Sequence, residues 1–187
     1  MYLYITLGRN IMRVITGSAR GRNLITLEGG DVVRPTTDRV KEAMFSIIQF
    51  DIEGRRVLDL FAGSGQLGIE ALSRGAEKCT FVDSDAKAVS VIEQNLAHTQ
   101  LSDKAVVRKS DSLNFLRTTN EVFDIVIIDP PYGTGLLQKA LDSLDRLAEG
   151  GIIVCELPVG EDIPESAGGL DLFKRYKYGR VELAVYR

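Results

Sequence analysis

Five short runs dominated by apolar residues punctuate the chain from its second quarter onward, at 57–60, 79–83, 105–109, 124–129 and 152–157. The stretches between them, 65–74, 86–99, 112–116 and 135–147, carry apolar residues at helical spacing. Strands that are apolar on successive positions have no face for water, so both faces need a cover, and the intervening helices supply it. The pattern predicts an α/β fold built on a mostly parallel sheet with helices on both faces.

Both ends depart from this rhythm. Runs at 172–178 and 180–186 meet at Gly179 and predict a C-terminal antiparallel hairpin that finishes the sheet. Runs at 12–16 and 23–27 flank Gly17-Ser18-Ala19-Arg20-Gly21-Arg22, which predicts an N-terminal hairpin with a flexible, basic tip. Over 38–50, Val40, Met44, Ile47 and Ile48 share one face of a helix that Thr36 or Thr37 is placed to cap. No repeat, low-complexity tract or linker separates these parts.

Composition adds limits rather than detail. A chain of 187 residues, 44% hydrophobic and 26% charged, matches an ordinary globular protein with one core. It has no apolar run long enough to cross a bilayer, and Met1–Leu7 lacks the charged start and cleavage site of a signal peptide. Cys79 and Cys155 lie inside strand-like runs, which favours buried reduced thiols over a disulfide and points to a cytoplasmic protein. The net charge of −3 is uneven: residues 1–50 hold seven Lys/Arg against four Asp/Glu, leaving −6 for the remainder. A basic arm on an acidic body suits an enzyme that binds a polyanion, although a solvated surface gives the same count.

Candidate chemistry begins where the first strand runs into Asp59-Leu60-Phe61-Ala62-Gly63-Ser64-Gly65-Gln66-Leu67-Gly68. Glycines there let the backbone turn tightly and approach a ligand at a helix N-terminus. Gly63, Gly65 and Gly68 spell the dinucleotide fingerprint, and Asp83 falls at the distance of its ribose-binding acid, so a nicotinamide-dependent oxidoreductase must be weighed. Charge opposes it. Asp59, Asp83, Asp111 and Asp129 each fall at or just past a strand end, the edge where open α/β sheets bind ligands. Four acids there repel a pyrophosphate and suit S-adenosylmethionine, which carries a sulfonium, an ammonium, ribose hydroxyls and an adenine amine. Each acid alone could be a helix cap, Asp111 above all.

Asp129-Pro130-Pro131-Tyr132 closes the fourth strand. An exocyclic amine on an aromatic base is a poor nucleophile because its lone pair is delocalised into the ring. A carboxylate and a carbonyl side by side, held rigid by prolines, accept hydrogen bonds from the amine and localise that lone pair. Asp129 can also take up the released proton. Tyr132 offers a ring on which an unpaired or flipped-out base can stack. A Pro-Pro turn ending a core strand is the bland alternative.

With these residues placed, the chain resembles a class I methyltransferase of the Asp/Asn-Pro-Pro-Tyr type. More narrowly it is similar to the bacterial RsmD family, which makes N2-methylguanosine in small-subunit (16S) ribosomal RNA. The resemblance rests on Met12-Arg13-Val14-Ile15-Thr16-Gly17, Arg34-Pro35-Thr36-Thr37-Asp38-Arg39-Val40-Lys41-Glu42, the glycine loop from Leu58 to Gly65, Gly68-Ile69-Glu70-Ala71-Leu72-Ser73-Arg74-Gly75, Asp129-Pro130-Pro131-Tyr132 and Lys177-Tyr178-Gly179. It implies a Rossmann-like sheet of seven strands, parallel but for one strand of the terminal hairpin. It implies cofactor contacts from Asp59, Phe61, Ala62, Gly63, Ser64, Gly65, Asp83, Ser84, Asp111, Ser112 and Asp129, with Asp59 and the Gly63–Gly65 backbone at the methionine end, Asp83 at the ribose and Asp111 at the adenine amine. Asp129, Pro130, Pro131 and Tyr132 would receive the guanine. Arg20 and Arg22 would contact RNA phosphates, and Arg34 and Arg39 would lie near cofactor and target. Residues 12–50 would face the RNA and 51–187 form the methyltransferase domain, the two packed together as one unit. The implied partner is 16S rRNA within an assembled or assembling small ribosomal subunit. Residues 1–11 precede the family pattern and receive no function.

Other residues are left in bland roles. His98 reads as a solvated helix end, no Cys/His set has metal-ligand spacing, and no Ser or Cys has a histidine partner for covalent catalysis. Phe173, Tyr176 and Tyr178 alternate with Lys174, Arg175 and Lys177, as half-burial in a terminal strand produces. The chain is expected to act as a monomer without a metal. Adenine N6, cytosine N4 or a protein glutamine remain as other planar amines, and a non-catalytic RNA-binding module would leave Asp129 idle.

Overall fold

Strand and helix alternate as the apolar pattern requires, in a computed structural model that describes residues 12–27, 38–145 and 147–187. The order is α1 (Asp38–Ile47), β1 (Arg56–Asp59), α2 (Gln66–Ser73), β2 (Lys78–Asp83), α3 (Ala86–Thr99), β3 (Ala105–Lys109), α4 (Ser112–Thr118), β4 (Phe123–Ile128) and α5 (Leu136–Asp142). It finishes with β5 (Leu147–Pro158), β6 (Ser166–Ala167), β7 (Leu170–Tyr178) and β8 (Val181–Tyr186). The strands form one sheet in the order β3-β2-β1-β4-β5-β8-β7-β6. β1 to β5 are parallel, and β8 runs antiparallel to both β5 and β7. The sheet has eight strands rather than seven, because the two-residue β6 pairs antiparallel with β7 at the edge.

The two faces of the sheet bury separate apolar layers. Along β4, Ile125 and Ile127 join α1, α2 and α3 through Met44, Phe45, Leu67, Ile69 and Ile92. Val126 and Ile128 on the opposite face join α4 and α5 through Phe115, Leu116, Leu137 and Leu141. A side-chain period of two divides each strand between the layers, which is why both its odd and even positions must be apolar. Cys79 and Cys155 are buried free thiols.

Three local expectations are corrected. The helix expected over 135–147 ends at Asp142, and Leu147 instead begins β5 opposite Phe123. Its apolar spacing continues past Asp142, but sheet pairing with Phe123 takes the backbone, and Gly150 at φ 69 serves the irregular register there. The N-terminal hairpin is reduced to a single antiparallel bridge, Arg13 to Asn23, around a turn. In β7, a register shift between Leu172 and Lys174 turns Phe173 outward, 62% exposed, so half-burial describes Tyr176 and Tyr178 but not Phe173. The caps proposed at Thr36 and Thr37 lie outside the described residues.

Candidate active site

Strand order reverses between β1 and β4, so their following loops diverge to opposite faces and leave a crevice at the carboxyl edge. The glycine loop enters this crevice from β1. Gly63 at φ 54 and Gly65 at φ 78 occupy left-handed backbone that a side chain would strain. Gly68 is needed for a different reason: a Cβ there would lie 2.3 Å from the Phe81 ring, so only glycine lets α2 pack this closely on β2.

Two carboxylates hold the loop by its backbone. Asp59 is buried beneath it and accepts from the Gly68 N–H at 2.8 Å. Burial pushes its carboxyl up to about 7; the nearby Asp83 charge adds to the rise and the Gly68 hydrogen bond opposes it. Asp83, half-buried at the end of β2, accepts from the Gly63 N–H at 2.9 Å with one oxygen and from the Asp85 N–H at 2.9 Å with the other. Asp59 and Asp83 thus converge on the loop from below and from the side.

The other expected cofactor residues divide into exposed and internally engaged groups. Phe61 is half-buried, Ser84 is exposed, and the buried Ala62 donates its N–H to the Val82 carbonyl at 3.0 Å. Ser64 turns its hydroxyl into the N-terminal segment, 3.1 Å from Met12 Sδ, and Ser112 donates to the Leu60 carbonyl at 2.7 Å. Asp111 is exposed and caps α4, accepting from the Asn114 N–H at 2.8 Å.

Across the crevice, β4 delivers Asp129, half-buried, followed by buried Pro130 and exposed Pro131. Tyr132 remains 44% exposed, yet its hydroxyl donates to Glu156 Oε1 at 2.7 Å. Burial, then the Glu156 charge and hydrogen bond, then Asp129 and Glu161, raise the phenol far above its usual range, so it stays a donor. Glu156 was not among the sequence candidates. Its signal was there: a carboxylate inside the apolar run of β5, where only 5% of it reaches solvent.

The arginines expected at RNA are not equivalent. Arg20 and Arg39 are exposed, and Arg34 lies outside the described residues. Arg22 bends back to the C-terminus of α3, donating to the His98 carbonyl and to Gln100 Oε1. Sequence reasoning also missed what fastens this segment. Glu70, fully buried in α2, accepts from the Ile15 N–H at 2.7 Å, the Thr16 N–H at 3.0 Å and Arg74 Nε at 2.8 Å. Lys41 Nζ, equally buried, lies 4.0 Å from Glu70 and donates to the Arg13 carbonyl at 2.6 Å. Burial lowers the Lys41 pKa, and Glu70 opposes that fall.

The strand order and the two loops at its reversal define a Rossmann-like methyltransferase. The chain belongs to the family described as "Conserved hypothetical protein 95", whose model matches residues 12–187; this is the RsmD methyltransferase family that its motifs resemble. It is similar to YlbH of Bacillus subtilis (strain 168), with 42% identity over 182 residues, covering 94% of this chain and 98% of that protein. It is 34% identical over 183 residues to the Ribosomal RNA small subunit methyltransferase D of Escherichia coli (strain K12), covering 96% of this chain and 91% of that one. The solved structure of yhhF from Escherichia coli superposes with a TM-score of 0.81 at 35% identity, covering 94% of this chain and 97% of the other. The chain is therefore a methyltransferase that needs a methyl donor, which sets aside the nicotinamide interpretation of its glycines. Among the described residues no helix is long and apolar enough to cross a membrane.

Proposed function

We propose that this enzyme transfers a methyl group from S-adenosylmethionine to the exocyclic N2 amine of a guanine in 16S ribosomal RNA. The observation that carries it is Asp129-Pro130-Pro131-Tyr132 at the end of β4, facing a glycine loop that Asp59 and Asp83 hold by its backbone. The name of the Escherichia coli relative supports the RNA substrate.

The donor set fits this cofactor. Each Asp83 oxygen accepts one backbone N–H, and a carboxylate oxygen can accept a second bond, which suits a ribose diol. The loop backbone from Gly63 to Gly65, flanked by Phe61 and Ala62, receives the methionine end above Asp59. Ser84 and Asp111 border the ribose and adenine; Ser64 and Ser112 contribute backbone, because their hydroxyls are engaged inside the fold. S-adenosylmethionine supplies an electrophilic methyl carbon on a positively charged sulfur.

The chain supplies position. Asp129 and the Pro130 carbonyl accept the two amine N–H bonds and aim the nitrogen lone pair along the line of transfer. Pro131 stiffens the turn, and Tyr132 stacks against the base. As the N–C bond forms and the S–C bond breaks, Asp129 or water takes the surplus proton. Most of the rate comes from orientation and excluded water, with no covalent intermediate. Residues 12–50 form the RNA-facing part, with exposed Arg20 and Arg39 on phosphates, and 51–187 carry the chemistry; the two pack as one unit working in the cytoplasm. Because the arm holds a modest positive charge, the shape of the small ribosomal subunit supplies much of the specificity.

The test incubates the protein with labelled S-adenosylmethionine and small ribosomal subunits that lack the modification, then identifies the labelled nucleoside by mass spectrometry. N2-methylguanosine at one site is the expected result, with Asp129→Ala losing most transfer but retaining cofactor binding. Label on adenine N6 or cytosine N4, or equal labelling of protein-free RNA, overturns the corresponding part.

A further inference from the structure

We propose that Glu156 is a positioning residue: from β5 it fixes the phenol of Tyr132 and so sets the platform on which the target base stacks. The inference rests on the base chemistry proposed above and adds a residue to it.

Tyr132 sits in a loop that leaves β4 at Asp129 and enters α5 after Gly135. Gly133 at φ 72 and Gly135 at φ 68 adopt left-handed backbone within that loop, and residues 131–135 are exposed. Backbone of this kind does not by itself hold an aromatic ring at one angle. The Tyr132 hydroxyl bridges 24 residues to Glu156, on a strand paired with β4 by Ile128 to Cys155 and with β8 by Glu156 to Leu183. The ring is thereby anchored at its phenol end to a buried residue in the interior of the sheet, while nearly half of Tyr132 remains open to a ligand.

A carboxylate buried in an apolar strand is costly for stability. An apolar residue would serve packing in β5 better, as Ile152 and Val154 on the same face illustrate. Departures from local packing rules of this sort concentrate at functional sites. The phenol is held as a donor, so the 2.7 Å bond fixes its direction toward the Glu156 carboxyl group. A base that stacks on a pre-set ring loses less freedom in binding than one that must also order the ring.

Tyr132→Phe keeps the ring and deletes the tether; Glu156→Leu deletes it from the other side; Glu156→Gln keeps an acceptor of the same shape. Steady-state methylation of small subunits, together with cofactor affinity by calorimetry, is measured for each variant and for Tyr132→Phe/Glu156→Leu. Each tether deletion is expected to lower kcat/KM for the RNA about tenfold, as loss of a single hydrogen bond implies, with cofactor affinity unchanged. The double variant should be no worse than the single ones, and Glu156→Gln should recover most of the loss. Multiplicative losses, or full activity in Tyr132→Phe, overturn the tether. A Glu156→Leu protein that fails to fold leaves Tyr132→Phe and Glu156→Gln to decide, since neither removes buried volume. If the unaltered protein methylates no RNA base, the proposed function fails and takes this inference with it; activity in the unaltered protein with indifferent variants removes the inference alone.

Discussion

The two ends of the described chain attach to the sheet by different physics. At the C-terminus, β8 pairs with β5 through six consecutive registers, from Ile153–Tyr186 to Pro158–Val181, and buries Leu183, Ala184, Val185 and Tyr186. At the N-terminus, residues 12–27 pair with each other in one isolated bridge and, apart from a backbone bond from the Ser18 N–H to the Ser73 carbonyl at 2.8 Å, reach the body through side chains. Glu70 takes two of their N–H groups. Ser73 Oγ accepts from the Ala19 N–H at 3.0 Å and donates to the Thr16 carbonyl at 2.6 Å. Asn95 bonds both the N–H and carbonyl of Ile25, at 2.8 and 3.0 Å, and also the Ser64 carbonyl at 2.9 Å. A ladder needs only backbone, so it tolerates many sequences; a side-chain clamp depends on a few polar residues. These clamps stand on α2 and α3, and one of them also grips the glycine loop. The arm, whose Met12, Val14, Ala19 and Leu24 join the core, is therefore fastened to the glycine-loop side of the crevice by polar clamps, with the hairpin as an apolar brace on the far side.

The largest way to break the contrast is Glu70→Ala. It strands Lys41 in the core and frees two N–H groups, at a cost of about 3–5 kcal/mol in urea denaturation. Loss below about 1 kcal/mol would mean the arm is not fastened there.

Next comes a pH effect on the loop side. The Asp59 carboxyl is raised from 3.8 to about 7, so the folded state holds its proton more tightly than the unfolded chain. Stability from this group is full below about pH 4 and is lost as pH rises to 7, on the order of 4 kcal/mol at most. Asp59→Asn removes the titration. Its stability relative to the unaltered protein should rise between pH 4 and 7 and level off above, as denaturation across that range would record; a flat difference contradicts the assignment.

On the hairpin side, Leu183→Ala should cost about 3 kcal/mol by opening a cavity in the sheet, with little change in that pH dependence. The smallest effect belongs to Arg22→Ala. Its bonds to His98 and Gln100 lie at an exposed helix end, so thermal denaturation should register less than about 1 kcal/mol. If RNA affinity falls severalfold in Arg20→Ala and much less in Arg22→Ala, the two arginines of the tip have separate duties.

The parallel strands were legible because burial on both faces forces apolar runs, and the crevice was legible because tight turns require glycine and proline. Asp111 as a cap was legible for the same local reason, since a cap contacts residues two or three positions away. The features that escaped depended on partners far along the chain. Glu156 needs Tyr132, 24 residues back, and Glu70 needs Ile15 and Thr16, more than 50 residues back. β6 is two residues long and exists because β7 presents an open edge. The outward turn of Phe173 comes from a bulge, where one added residue reverses the face of its neighbours along the strand.

From its sequence alone this protein's α/β class, its glycine loop and its Pro-Pro-Tyr edge were determined, because spacing and backbone chemistry act over a few residues. Tertiary structure alone decided which buried charges pair, which arginine of the tip stays exposed and what anchors the Tyr132 ring. Those outcomes depend on burial and on distances across the sheet, and a linear pattern carries neither.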